Sequence, residues 1–443
     1  MRTIEQPQDL TPTVRAGRRR SNRRRAVAAV LAVATLAAFA GWALTRAEPG
    51  DDRLLVVDED GAVSLLDPAT GESLFEVPGA TPTPDRSALL TTESAGGKTL
   101  LHSRDPVTGA ITGSTTLDGD LTIRTVSPRG GAVALMPGPR GDGLYEAGSR
   151  ERTSLTVSYL DHREPRTYHL QGNIEPEMFS YDEGALFILQ FEPPLDPTSY
   201  LVRRLDLGTG VVTDTESPQV ELNPRMRATA RAQVLHPAGT YLYTLYTVPN
   251  DGQRLDDDEV DSDSSRSAFI HIINLEEEWS YCLFLPTPIG TVDEAAVGLG
   301  IAPDGRELVV ADAGSATIAR VDTAELAVTG TTRIDALAED QSKAVVSLTD
   351  DGTLYLSAGA TLLEVDLSTL NAGFSWEVQG TVTGLATSAS GDELRVANGG
   401  VITLIDRATR QETGVLQVPG RGSVALLGPP RGTVTEFPLE CAC

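Results

Sequence analysis

Three cysteines are the residues of this chain best suited to covalent chemistry: Cys282, and the pair Cys441 and Cys443 in the C-terminal tail. Two thiolates in a Cys-x-Cys pair make a weak metal site, because soft metal ions need further ligands. In an oxidising compartment, a disulfide from Cys282 to Cys441 or Cys443 would fix the tail to the body of the chain. Three unpaired thiols explain the same sequence equally well. A disulfide among these residues is the one covalent site that we predict.

Histidines and carboxylates do not form a recognisable metal or catalytic motif. The acidic run 255–265, LDDDEVDSDSS, lacks a calcium-loop glycine, since Arg266 stands at the sixth position counted from Asp261. We interpret it as a solvated surface loop. The sequence contains no nucleophile elbow, no P-loop and no dinucleotide-binding glycine motif after a strand. We therefore predict no catalytic, cofactor-binding or metal-ligating residue. None of the five histidines has metal-site spacing, and they are His102, His162, His169, His236 and His271.

Charge excludes one class of partner. The net charge is −26, although residues 1–25 contain eight arginines against Glu5 and Asp9. The remainder of the chain is therefore even more acidic than the net charge indicates, and it repels phosphate backbones. Positive charge is almost always guanidinium, because the only lysines are Lys98 and Lys343. We predict that the protein does not bind nucleic acid.

The N-terminal region predicts a membrane anchor. The basic run RAGRRRSNRRR (15–25) precedes nineteen uncharged residues at 26–44. As a helix this segment would be roughly 28 Å long, close to the thickness of the hydrocarbon layer. The arginines predict a cytoplasmic tail (1–25), a single transmembrane helix (26–44) and an extracytoplasmic C-terminal domain in the cell membrane. The alternative is a signal peptide cleaved near Ala38-Phe39-Ala40, which would give a secreted protein.

The body of the chain repeats one phrase of four short strands, seen most clearly at 301–330, IAPDGRELVVADAGSATIARVDTAELAVTG. A Pro-Asp-Gly turn separates Val- and Ile-rich strands, which predicts an antiparallel meander. Repeats of about 40 residues indicate the blades of a β-propeller. The third strand of each repeat is predicted to end at an Asp or Asn that caps the following turn, and these residues are Asp67, Asp105, Asp161, Asp206, Asn274, Asp322, Asp366 and Asp406.

Eight such marks predict an all-β fold with a single closed propeller of eight blades, with seven as the alternative because the third repeat is irregular. The first repeat has only three strands, so we predict that residues 420–428 supply the fourth by pairing with Leu54–Asp58. The predicted domains are a linker (45–52), the propeller (53–430) and a C-terminal tail (431–443).

The repeats resemble the YVTN-type β-propeller family, through APDGRELVVADAGSATIARVDTAELAVTG (302–330), DDGTLYLSAGATLLEVDLSTL (350–370) and SASGDELRVANGGVITLIDRATRQETG (388–414). The first repeat, DEDGAVSLLDPATGESLF, is also similar to quinoprotein-type repeats, although Phe75 stands where that family has Trp. These resemblances imply a propeller but no particular activity, because enzymes and binding proteins share such repeats.

The function that the sequence favours is a membrane-anchored, extracytoplasmic binding or scaffold module for a protein, peptide or glycan, with no cofactor. One alternative is a lactonase-like hydrolase with a divalent metal at the propeller axis. Another is a quinoprotein-like protein, which the failed Trp position disfavours. The long insertions in the third to fifth repeats are where we expect a partner to bind.

Overall fold

The computed structural model describes residues 53–58, 61–138, 148–161, 163–218, 225–248, 267–293, 295–337, 342–418 and 424–428. These residues belong to one compact unit that spans residues 50–443. The predicted tail 1–25, transmembrane helix 26–44, linker 45–52 and C-terminal tail 431–443 lie outside the described residues and stay predictions. Within the described ranges, no helix has the length and apolar character that a membrane span requires.

Eight antiparallel sheets of four strands each make up the described part of the chain. The first four are blade 1 with β1 (Leu54–Asp58), β2 (Val63–Leu66) and β3 (Ser73–Val77); blade 2 with β4 (Thr81–Pro82), β5 (Leu89–Ala95), β6 (Lys98–Arg104) and β7 (Ile111–Asp118); blade 3 with β8 (Leu121–Val126), β9 (Ala132–Pro137), β10 (Arg152–Tyr159) and β11 (Arg166–Gln171); and blade 4 with β12 (Asn173–Phe179), β13 (Ala185–Glu192), β14 (Ser199–Asp206) and β15 (Val212–Asp214).

The last four sheets follow the same order along the chain. They are blade 5 with β16 (Thr229–Leu235), β17 (Tyr241–Thr247), β18 (Ala268–Asn274) and β19 (Trp279–Phe284); blade 6 with β20 (Val297–Ile301), β21 (Glu307–Asp312), β22 (Thr317–Asp322) and β23 (Ala327–Arg333); blade 7 with β24 (Val345–Leu348), β25 (Thr353–Ala358), β26 (Thr361–Asp366) and β27 (Asn371–Glu377); and blade 8 with β28 (Val382–Thr387), β29 (Glu393–Asn398), β30 (Val401–Asp406) and β31 (Gln411–Gln417). One 3₁₀ helix, Asp335–Leu337, precedes β24, and β32 (Val424–Gly428) ends the propeller.

The blades form a closed eight-bladed β-propeller, as predicted. Axial strands of neighbouring blades contact each other at five places, between β8 and β12, β16 and β20, β20 and β24, β24 and β28, and β28 and β32. The alternative of seven blades is wrong, because the irregular third repeat is a complete blade of β8 to β11. The second repeat begins earlier than its sequence phrase indicates, since the two-residue strand β4 lies on the axial side of β5.

Blade 1 closes the ring, because its axial strand comes from the other end of the propeller sequence. β32 pairs antiparallel with β1, with Val424 opposite Asp58 and Leu426 opposite Val56. The predicted pairing of residues 420–428 with Leu54–Asp58 is therefore confirmed for Val424–Gly428, the part of that segment that the structure describes. It gives both strands a partner and holds the ring shut.

The two ends of the blades differ in the length of their connections. We call the end that joins first to second and third to fourth strands the turn face, and the opposite end the loop face. Every connection on the turn face has four to six residues, measured between the described strands. The five connections of more than ten residues all lie on the loop face, and they are 138–151, 215–228, 248–267, 285–296 and 334–344.

The turn face is built from two repeated turns. In the first-to-second turns, the fourth residue has a positive φ and donates its N–H to the carbonyl three residues earlier, at Arg86, Gly130, Glu183, Gly239, Gly305, Gly352 and Gly391. In the third-to-fourth turns, the predicted Asp or Asn accepts backbone N–H groups through its side chain in all eight blades. The predicted turn-capping role of these residues is confirmed.

The rim of the propeller carries a recurrent β-bulge in the fourth strand. The pairing of β3, β7, β23, β27 and β31 with their inner neighbours shifts register once. The bulge residue is a threonine in blades 2, 6 and 8, and its hydroxyl bonds to the carbonyl of the opposite strand, at Thr112, Thr329 and Thr413. Because a bulge twists and interrupts an edge, it discourages pairing with another chain.

The core lies between the blades, where apolar side chains from facing sheets pack together. Near the axis, β20 and β24 approach so closely that only glycine fits. A Cβ at Gly298 would lie 2.2 Å from the carbonyl oxygen of Ala344, and one at Gly300 would lie 2.7 Å from Val346. Small residues in this strand therefore set the distance between blades 6 and 7.

Candidate functional site

Charged side chains on the axial strands single out three neighbouring blades. Arg124 lies on β8, Glu175 and Glu177 lie on β12, and Arg231 lies on β16, while the other five axial strands carry no charged residue. Arg124 is 7% exposed and Glu177 is 3% exposed. Burying a charged side chain near the axis costs free energy unless the charge is paired, so these residues need a reason beyond core packing. We call the loop-face end of blades 3 to 5 the charged sector.

A hydrogen-bonded network on the loop face joins blades 3 and 4. The Arg150 guanidinium contacts the Glu175 carboxylate and donates from Nε to Asn173 Oδ1 over 2.7 Å. Asn173 in turn donates from Nδ2 to the carbonyls of Gly148 and Pro194. The Arg150 backbone N–H also donates to Pro194 O, at 3.1 Å. The ends of connection 138–151 and of the loop after β13 are therefore held in one place.

That held loop presents an apolar side chain to solvent. Leu195 follows Pro194 in the connection 193–198 and is 53% exposed. The base of the loop is closed by bonds from Thr198 N and Ser199 Oγ to Glu192 O. Leu195 is thus an exposed aliphatic side chain on an ordered loop, with Asp196 beside it.

A second loop, between blades 5 and 6, has the same chemistry. Asp312, at the loop-face end of β21, is fully buried and accepts hydrogen bonds from Gly290 N and from Ser315 N and Oγ. Ile289 is buried beneath the loop, whereas Val292 is 56% exposed. Val292 also precedes an aspartate, Asp293. The two loops therefore offer exposed aliphatic anchors next to carboxylates, the kind of ordered contact that a protein partner can bury.

The turn face uses its charges differently, because its arginines join one blade to the next. Arg163 and Ser127 of blade 3 both bond to Glu183 of blade 4. Arg204 of blade 4 pairs with Glu278 of blade 5 over 2.6 Å. A planar guanidinium can bind two partners in fixed geometry, which explains why arginine rather than lysine supplies the positive charge. The other such contacts run from Arg166 to Leu207, from Arg320 to Leu367, from Arg407 to Asp351 and from Arg410 to Glu364.

The rim holds a shallow groove, away from the axis. The groove lies between β19 and β23 and has a volume of about 440 Å³. No charged side chain lines it, and its walls are Phe284, Leu285, Pro286, Val328, Thr329, Gly330 and Thr331. The groove could therefore accommodate a ligand, but it has no charged group to orient one.

Only some of the predicted site residues lie in the ranges that the structure describes. Cys282 lies on β19 with its side chain in the apolar cluster between blades 4 and 5, and burial raises the pKa of its thiol to about 12. Cys441, Cys443, His162 and the acidic run 255–265 lie outside the described residues, so the disulfide stays a prediction. The other four histidines occupy three different blades, at His102, His169, His236 and His271. In the ranges that the structure describes, no three His, Cys, Asp or Glu side chains are grouped to hold a metal ion.

Sequence reasoning did not find the charged sector. Arg124, Glu175 and Arg231 are separated by more than fifty residues in sequence, and only the ring brings their strands together. A usable signal did exist, since a strand that occupies the axial position is expected to be apolar or small, and these three strands are not.

Neither a family model nor a curated protein sequence matches the chain. By contrast, 1065 solved chains have a similar fold. One is dihydro-heme d1 dehydrogenase NirN in complex with DHE, with a TM-score of 0.52 and 12% identity, covering 86% of this chain and 75% of that one. Two structures of AztD from Citrobacter koseri, one of them apo, each have a TM-score of 0.51 and 12% identity over 85% of this chain, and cover 98% and 97% of their own. Likeness at this identity concerns the fold alone, and it places this chain among the β-propellers.

Proposed function

We propose that this protein is a binding module whose protein partner docks on the loop face of the charged sector. The main observation behind the proposal is that two features, charged axial strands and long loop-face connections, occur in the same blades. The blades with charged axial strands are also the blades that carry the longest loop-face connections, at 138–151, 215–228 and 248–267. Rigid scaffolds commonly place their binding residues on such connections.

The loop face also lies opposite the ends of the propeller sequence. β1 begins at Leu54 and β32 ends at Gly428, and the register places Leu55 opposite Gly428 on the turn face. The described chain therefore enters and leaves the propeller at the turn face. We propose that residues 26–44 are a membrane anchor, with the propeller outside the cell. The loop face is the end of the propeller opposite these two strand ends.

Exposed residues on opposite faces provide matched variants. Leu195→Asp and Val292→Asp alter the two anchors of the loop face, and Val211→Asp alters a turn-face residue that is 55% exposed. Each substitution removes little buried surface, so all three variants are expected to fold. The test is affinity purification of the full chain from detergent-solubilised membranes, with the captured proteins quantified by mass spectrometry.

The proposal predicts that Val211→Asp captures the same proteins as the unchanged chain, whereas the double variant Leu195→Asp/Val292→Asp captures at least tenfold less of them. This loss corresponds to about 1.4 kcal/mol, the size expected of an interface anchor. Equal capture by the double variant would contradict docking at this surface. Loss of capture in Val211→Asp alone would move the site to the turn face.

A further inference from the structure

The contact between blades 4 and 5 contains a buried imidazole. His271 lies on β18 and is 3% exposed, and its Nδ1 has no hydrogen-bond partner. Its cross-strand neighbours are Thr244 on β17 and Cys282 on β19. The ring of Tyr246 lies edge-on to it, with centroids 6.4 Å apart. The imidazole thus sits in a largely aromatic and aliphatic contact.

The groups around His271 do not provide a stable counter-charge. The titratable groups on the blade 5 side of this contact are Tyr246, Cys282 and Glu278. Those on the blade 4 side are Glu177, Tyr181, Tyr200 and Arg204, and Arg204 is paired with Glu278 at the turn face. Glu177 is close enough to raise the pKa of Tyr200, for which burial is the larger cause. Burial is the cause that lowers the pKa of His271, to about 4. A proton on His271 would therefore be a poorly compensated charge inside the contact.

The same contact is closed at the rim in an unusual way. β15 has only three residues, so blade 4 has almost no fourth strand there. The chain that follows β15 crosses to blade 5, where Ser280 N donates to Glu216 O over 2.9 Å and Ser280 Oγ donates to Thr215 Oγ1. Met226 then returns to blade 4 and exchanges two backbone hydrogen bonds with Tyr200. At this edge a few hydrogen bonds replace the longer fourth strand of the other blades. Thr215, Glu216 and Met226, which take part in them, belong to the loop-face connection 215–228.

We propose that the contact between blades 4 and 5 is an acid-sensitive joint, in which protonation of His271 opens the contact at the rim and loosens the residues Thr215, Glu216 and Met226 that close it. The residues that would be loosened belong to connection 215–228 on the loop face. Acidification would therefore weaken binding of a partner there, and only this last step rests on the proposed function.

Hydrogen exchange of the full chain tests the joint without any partner. With a pKa of about 4 in the closed contact and 6.5 in an open one, opening becomes about 20-fold more favourable between pH 7 and pH 5. After correction for intrinsic rates, amides of β14, β18 and β19 should show this increase, while those of β21, β22 and β25 between blades 6 and 7 should not. Equal changes at both contacts would overturn the proposal.

Two substitutions separate His271 from general acid effects. His271→Phe keeps an aromatic ring in the contact, and His271→Gln keeps a neutral polar side chain, so the pair covers the case in which one variant does not fold. Both should lose most of the increase, whereas His169→Gln, at an exposed position on β11, should retain it. An undiminished acid response in a folded His271 variant would overturn the proposal. If the joint responds as expected but acid does not release a bound partner, only the proposed function is affected.

Discussion

Blades 3 to 5 and blades 6 to 8 each have four strands, but they differ in axial charge, in the length of their connections and in the pairing of the fourth strand. Blades 6 to 8 have uncharged axial strands, second-to-third connections of two to four residues and a bulged fourth strand. Blades 3 to 5 have charged axial strands, long loop-face connections and fourth strands whose pairing is regular. Blades 6 to 8, the regular blades, therefore contain little beyond the strands and turns that form the ring. Blades 3 to 5, the irregular blades, differ from this pattern on the loop face, where a partner can bind.

The two regions also protect their outer edges differently. A bulge in the fourth strand twists the edge of blades 6 to 8 away from pairing. In blades 4 and 5 the edge is instead shortened at β15 or paired by the chain itself, as Glu216 does at Ser280. Edge protection in the irregular blades therefore depends on a loop-face connection, so loop-face binding and ring stability share residues there.

The largest expected effect lies in the regular blades. Gly298→Ala places a Cβ 2.2 Å from the backbone oxygen of Ala344, the residue before β24, so the backbone there must shift. We expect a loss of about 3 kcal/mol in the free energy of unfolding, the upper range for overpacking. Urea unfolding followed by fluorescence measures it. Gly373→Ala is the matched control, since its nearest neighbour is 3.7 Å away and a change within about 0.5 kcal/mol is expected. Comparable losses in the two variants would show that axial approach does not limit this contact.

An intermediate effect is expected at the network between blades 3 and 4. Arg150→Ala or Glu175→Ala leaves the other charge without its ion pair in a site where the two side chains are 24% and 14% exposed. Because solvent screens part of this pair, we expect about 2 kcal/mol for each single variant, below the range for a fully buried pair. The double variant should cost little more than either single variant. A thermodynamic cycle from urea unfolding measures the coupling, and additive losses would contradict a direct pairing.

A smaller and pH-dependent effect distinguishes the turn caps of the two regions. Asn274, in blade 5, is 2% exposed and is followed by Glu276, Glu277 and Glu278. Asn274→Asp would put a charge into this buried, acidic turn at a cost of about 1 kcal/mol. The new carboxyl would have a raised pKa, so the loss should be present at pH 7 and diminish as pH falls toward that pKa.

Asp406 of blade 8 provides the reciprocal test, because its exposed carboxylate accepts from Thr409 N and Oγ1, bonds that lower the pKa of the carboxyl. Asp406→Asn keeps an acceptor and should leave the urea midpoint at pH 7 nearly unchanged. A larger loss in Asp406→Asn than in Asn274→Asp would contradict the assigned difference between the two turns.

The parts of the fold that follow from local chemistry could be predicted from the sequence. A side chain such as Asp322 caps a turn made by its own neighbours, Ala324 and Glu325, so the position of the turn is readable without the rest of the chain. The closing strand could be predicted because the first repeat lacked a strand and residues 420–428 matched it. β4 could not, since a two-residue strand that contains Pro82 has no periodic pattern.

The charged sector and the acid-sensitive contact depend on the ring itself. Glu175 meets Arg150 only because β12 lies beside the connection that follows β9, and His271 is buried only because blade 4 covers it. Their single-residue signals are ambiguous, since a glutamate or histidine inside a strand is usually solvated on one face. The anchor at 26–44, the disulfide of Cys282 and membership of the YVTN-type family stay predictions.

The central claim, that a partner docks on the loop face of the irregular blades, is tested most directly by site-specific photocrosslinking in intact cells. A benzophenone amino acid placed at Leu195, Val292 or Val211 reports which exposed position touches another protein. We expect crosslinked adducts at Leu195 and Val292 and none at Val211. Adducts at Val211 without any at the two loop-face positions would contradict it.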